Sequence, residues 1–90
     1  MYPIAENELL TRVSKYELKR DSDKIRVDVH EVLAGTLEEK FFAIPNPLMR
    51  EDREVDPQYI GCGGTEYEAL LDCLKKIKDV PLEIVAPPLV

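Results

Sequence analysis

Apolar and polar positions alternate most clearly in the first half of the chain. Ile25, Val27 and Val29 are interleaved with Arg26, Asp28 and His30, the period-two pattern of a strand with one buried face. Residues 9–20 admit two readings. As a helix, Leu9, Leu10, Val13 and Tyr16 recur at nearly helical spacing; as a strand, Tyr16 and Leu18 share a face with Ser14 while Val13 points the other way. The turn-forming run Asp21-Ser22-Asp23 leads directly into the alternating segment, so a strand-turn-strand unit is the economical reading. Ala34-Gly35-Thr36 marks the next turn, and Lys40–Ile44 reads as a central strand hairpinned to residues 24–33. Pro45-Asn46-Pro47 is expected to end that strand, because proline donates nothing to a ladder and restricts the residue before it. Residues 48–57 are a charged excursion expected to be an exposed loop, and Gln58–Cys62 returns as a short strand.

The period then changes. Thr65 followed by Glu68 forms a capping box, and Tyr67, Leu70, Leu71, Leu74 and Ile77 fall on one helical stripe. Acids (Glu66, Glu68, Asp72) open this segment and lysines (Lys75, Lys76, Lys78) close it, which suits the helix dipole at both ends. The pattern predicts a helix over residues 66–79, ended by Pro81. Leu82–Ala86 would add an edge strand or dock extended, and residues 1–8 form a loose arm. The sum is a single α+β domain: an antiparallel sheet of three to four strands with one C-terminal amphipathic helix packed on one face.

Composition narrows the function classes. The chain has 90 residues, 33% of them charged and 44% hydrophobic, with a net charge of −6. Burial is limited at this size, so one small core is expected, with little room for a catalytic cavity. No apolar run reaches membrane-spanning length, and the N-terminus shows neither the charged nor the apolar region of a secretory leader, so a cytoplasmic protein is expected. Cys62 and Cys73 are read as reduced, packed thiols, since their spacing is neither a redox pair nor a zinc site. No cofactor and no metal are expected.

The acidic balance opposes non-specific nucleic-acid binding, yet charge is uneven. Residues 11–26 carry six basic side chains against three acids, a window of +3 in a remainder of −9. Arg12, Lys15, Lys19 and Arg26 would decorate the solvent face of the first hairpin, where they either blunt a sheet edge or touch nucleic acid. Tyr16 is the one aromatic there for base stacking. Leu48 and Met49, beside the Pro45-Asn46-Pro47 turn, either fold back as a lid on the core or join a protein-binding patch. These six residues are the candidate interaction surface.

Three chemical motifs have simpler structural readings. Gly61-Cys62-Gly63-Gly64-Thr65 joins a strand to a helix N-terminus, a place where anions bind. However, Glu66 and Glu68 already occupy the positive end, and a tight turn with positive φ accounts for the glycines. Cys62 lacks an adjacent base, the only histidine being on the polar face of another strand, and is expected as a buried strand-end residue. Glu51, Asp52, Glu54 and Asp56 lack the turn glycine of a calcium loop and are offset by Arg50 and Arg53.

Gly61-Cys62, Gly63, Thr65 and Glu68-Ala69-Leu70 resemble the end of the HicB-like antitoxin domain, a partial RNase H-like fold in which a strand ending in Gly-Cys leads to a threonine-capped helix opened by Glu-Ala-Leu. The order strand 24–33, strand 40–45, strand 58–62, helix also fits that family. The strand at 11–20, the 48–57 insertion and the lack of a DNA-binding segment after the helix depart from its pattern. The resemblance implies binding of a small basic toxin through a sheet edge or helix surface and carries no catalytic residue. The expectation is therefore a non-catalytic protein-interaction or accessory domain with a protein partner, and an exposed edge strand would allow a homodimer. A nucleic-acid-associated regulator using the basic hairpin 11–26 is the alternative.

Overall fold

The computed structural model describes residues 4–20, 24–35, 39–46 and 57–85. The two N-terminal segments form strands β1 (Leu10–Lys19) and β2 (Lys24–Ala34), followed by β3 (Phe41–Asn46), β4 (Gly61–Gly63), helix α1 (Glu66–Ile77) and a four-residue helix α2 (Leu82–Val85). All four strands pair antiparallel with their sequence neighbours, in the spatial order β1-β2-β3-β4. The expected α+β architecture is thus observed.

Register explains why residues 9–20 are a strand and not a helix. Leu18, Tyr16 and Ser14 stand opposite Ile25, Val27 and Val29, so β1 continues the face that β2 buries. Val29 and Val27 stand in turn opposite Ala43 and Pro45, and Ala43 opposite Gly61. Ile25, Val27, Val29 and Ala43 are fully buried beneath Ala69, Cys73 and Ile77 of α1, and Val85 of α2 completes the core. Each of the larger aliphatic side chains contributes about 1.5–3 kcal/mol by leaving water.

Four local expectations are corrected. First, Pro45 lies inside β3 and is buried. Pairing with β4 ends at Ala43, so β3 is an edge on that side at Pro45, where a missing N–H costs no ladder bond.

Second, the buried stripe of α1 is Ala69, Cys73 and Ile77, with Leu70 and Leu74 on its flank; Tyr67 is 67% and Leu71 44% exposed. The helix lies almost on the β4 backbone. A Cβ on Gly61 would come within 2.4 Å of the Cys73 amide nitrogen and 2.5 Å of the Ala69 carbonyl oxygen. Only small helix residues fit that seam, so the larger ones are turned aside. The glycines at 61 and 63 therefore serve close approach; among the described glycines, only Gly35 has a positive φ, of 127°.

Third, α1 ends at Ile77, because Asp79 turns left-handed with φ 62°. Pro81 instead starts α2, its carbonyl accepting from the amides of Ile84 and Val85 at 3.0 and 3.1 Å. Fourth, the segment after Pro81 is therefore a helical turn and adds no strand. Residues 58 and 59 likewise belong to a single 3-10 turn, Pro57–Tyr59, before β4. The Asp21–Asp23 turn, Leu48, Met49, the acids at 51–56 and Pro87-Pro88 lie outside the described residues.

α1 packs on β4, β3 and β2, and side chains tie β1 to its two ends. Ser14 donates to Glu66 Oε1 at 2.7 Å and Tyr16 donates to Glu66 Oε2. Arg20 donates to the carbonyls of Ile77 and Val80 at 2.8 and 2.6 Å, a cation meeting the negative end of the helix.

Candidate functional site

The face of the sheet opposite α1 is the candidate surface. Strand alternation directs Arg26, Asp28 and His30 of β2, Phe42, Ile44 and Asn46 of β3, and Cys62 of β4 onto it. The residue pattern does not single out this face; its one signal there is the adjacent apolar pair Phe41-Phe42, of which one must leave the core on a strand.

His30 and Phe42 are directly opposite each other across β2 and β3, and their rings stack with centroids 4.6 Å apart and planes at 5°. Thr11 Oγ1 is hydrogen-bonded to His30 Nδ1 at 2.9 Å. Burial holds the imidazole below its ordinary pKa, with Asp28 opposing the shift. Beside this stack, Arg26 Nε meets Asp28 Oδ1 at 3.2 Å. Asn46 Nδ2 donates to Asp28 Oδ2 at 3.1 Å. The facing Arg26 and Asp28 atoms are screened from solvent and complete no hydrogen bond, so charge attraction joins them at this distance.

A cavity of about 300 Å³ opens next to the stack, lined by Leu9, Glu39, Phe42, Ile60 and Cys62. Leu9 reaches it because the arm before β1 folds against Gly35, where a Cβ would meet the Leu9 side chain at 2.7 Å and the Glu8 carbonyl oxygen at 3.1 Å. Cys62 is exposed, contrary to the expected buried thiol, while Cys73 is buried; both are free. The reason is parity: the helix seam takes Gly61 and Gly63, so Cys62 between them must face the other side. Desolvation raises the Cys62 thiol, and burial pushes Cys73 up to about 11. His30 and Cys62 share this face but lie two strands apart, about 10 Å at ordinary strand spacing, with Phe42 between them. That separation prevents a thiol–imidazole pair.

The sequence-selected basic residues are distributed over both faces. Arg12 lies on the helix side of β1 and pairs with Glu31. Lys15 and Lys19 project from the opposite side of β1, exposed, and Arg26 is engaged by Asp28. Glu17 sits 4.0 Å from Lys19 and 3.9 Å from Lys24. No continuous basic stripe results among the described residues.

At the glycine turn, Thr65 Oγ1 accepts from the Glu68 amide at 3.1 Å, as the capping box requires. The Cys62 amide donates to Asp72 Oδ2 at 3.0 Å, and Lys76 Nζ donates to the Ile60 carbonyl at 2.9 Å. Helix side chains thus occupy the free edge of β4. Among the described residues, no group of three or more His, Cys, Asp or Glu side chains could hold a metal ion, and no helix is long and apolar enough to cross a membrane.

Compared with known proteins, the chain matches no family model, and no curated protein or solved structure is significantly similar to it.

Proposed function

We propose that this protein is a non-catalytic, cytoplasmic interaction domain that receives a protein partner on the face of its sheet opposite α1. The observation that carries this reading is the composite surface made by the His30–Phe42 stack, the screened Arg26–Asp28–Asn46 group and the adjoining apolar cavity. Protein interfaces combine an aromatic anchor and an apolar recess with fixed polar groups that set orientation. The separation of His30 from Cys62 supports the non-catalytic part of the reading. The HicB-like resemblance of residues 59–74 suggests an antitoxin-type accessory role, with a small basic protein as the partner. The division of the basic side chains between two faces weighs against the nucleic-acid alternative.

The test is co-purification of the native complex, followed by the same experiment with Phe42→Ala and Ile44→Glu. Both variants should lose the partner by at least about tenfold in affinity, as loss of an interface anchor does, while Leu71→Glu on the helix retains it. Retention by both sheet variants, or recovery of nucleic acid in place of protein, would overturn the proposal.

A further inference from the structure

The two edges of the sheet are finished differently. β4 is three residues long, and Asp72 and Lys76 engage the backbone beside and within it. β1 is ten residues long. It pairs with β2 alone, so the outer row of its amides and carbonyls faces no strand among the described residues. The arm before β1 turns toward Gly35 and the cavity and does not run along this edge. A long unpaired edge is a template for strand addition, and its own sequence determines which strand fits.

We infer that β1 pairs antiparallel with β1 of a second copy of this chain, about a two-fold axis at Tyr16. This surface is distinct from the one in the functional proposal and does not depend on it. A two-fold perpendicular to the sheet keeps both helices on one side and places residues of equal parity opposite each other. Four central registers are then available along the charged part of the strand. Centring on Lys15 puts that lysine against its own copy. Centring on Glu17 does the same to Glu17 and sets Lys15 against Lys19. Centring on Ser14 makes no ion pair. Centring on Tyr16 sets Lys15 opposite Glu17 twice, once on each side of the axis, and Val13 opposite Lys19; the next positions, Arg12 and Arg20, are cations already engaged within their own chain by Glu31 and by the Ile77 and Val80 carbonyls.

In this register residues 13–19 of each copy pair, and the two Tyr16 rings meet at the axis, an aromatic cross-strand contact of the favourable kind. Among the described residues Lys15 has no ion-pair partner within its own chain, and Tyr16 is 36% exposed. Opposite charges directly across a ladder stabilise it and like charges destabilise it, so the charges that protect the edge from indiscriminate pairing also select this register. The pairing is isologous and closed: once formed it leaves no free β1 edge to propagate.

Light scattering over a concentration series tests this on the full chain. The mass should rise from that of one chain, 10.3 kDa, to twice that value. Lys15→Glu should weaken the dimer by about tenfold, since it sets acid against acid at two symmetric positions. Combining it with Glu17→Lys should restore the dimer. In a Cys62→Ser background, Tyr16→Cys should cross-link to its own copy under mild oxidation, because directly opposed Cα atoms lie within disulfide range; Val13→Cys should not. Thermal unfolding of each variant distinguishes loss of pairing from loss of fold. A mass of one chain up to about millimolar protein, where even a weak complex forms, would overturn the inference. So would a dimer insensitive to Lys15→Glu or cross-linked through position 13.

Discussion

The absence of one methyl group at Gly61 determines how closely the helix approaches the sheet. The nearest atoms to a Cβ there are backbone atoms of Ala69 and Cys73, as close as 2.4 Å, and backbone cannot rotate away as a side chain can. Gly61→Ala should therefore cost about 3 kcal/mol or more, at or beyond the upper end of ordinary overpacking. Gly64, three positions on, has nothing within 4 Å of its would-be Cβ and no positive φ. Gly64→Ala should stay within about 0.5 kcal/mol of the parent. Urea denaturation of the two variants checks both figures, and equal effects would contradict the close-approach account. The sequence shows four glycines near α1 and β2 without distinguishing their roles. A glycine required by torsion and one required by a neighbour's backbone look alike until the neighbour is in place.

At the scale of elements, α1 is the clearest case of a periodicity read correctly in kind and incorrectly in phase. Capping by Thr65, acids early, lysines late and an apolar stripe all predict a helix, and α1 is one. The phase is set by what lies beneath. Large residues would face a side-chain layer, but β4 offers glycine, and the seam accepts only Ala69 and Cys73. Leu71→Glu should accordingly change stability by no more than about 0.5 kcal/mol, as at an ordinary surface position. Cys73→Leu should cost about 1–3 kcal/mol by overpacking. Thermal or chemical unfolding of the pair tests the assignment; the opposite ranking would place Leu71 in the core. Pro45 teaches the same lesson for strands. Its effect depends on whether a neighbour needs its N–H, and β4 has already ended where Pro45 stands.

At the scale of the whole molecule, charge ties the layers together and makes stability depend on pH in two windows. His30 has a folded pKa below its ordinary 6.5, so the unfolded chain binds the extra proton first. Its contribution is complete above pH 6.5 and is lost as pH falls through the lowered folded value. Glu66 is held below its ordinary 4.5 by the Tyr16 and then the Ser14 hydroxyl, and Asp72 below 3.8 by the Cys62 amide and then Lys76. Their contributions are complete above those ordinary values and are lost in more acid solution. Denaturation midpoints should thus fall in two stages, below about pH 6.5 and again below about pH 4.5. His30→Gln should flatten the first stage and Glu66→Gln the second. Because Glu66 accepts from both Ser14 and Tyr16, the second stage should also lower the hydrogen-exchange protection of β1 relative to β2. Unaltered profiles in both variants would exclude these linkages.

The alternation of Ile25, Val27 and Val29, the turn residues, and the capped segment after Thr65 were sufficient to derive an antiparallel sheet carrying one helix. These are local signals, in which each residue reports the backbone period of its own segment. The orientation of α1, the outward Cys62, the stacking of His30 on Phe42 and the division of Arg12 from Lys15 and Lys19 required the tertiary structure. Each depends on a residue distant in sequence, and parity or phase has meaning only once two elements are in contact. For that reason the basic residues of 11–26 form one cluster along the chain and two groups in space.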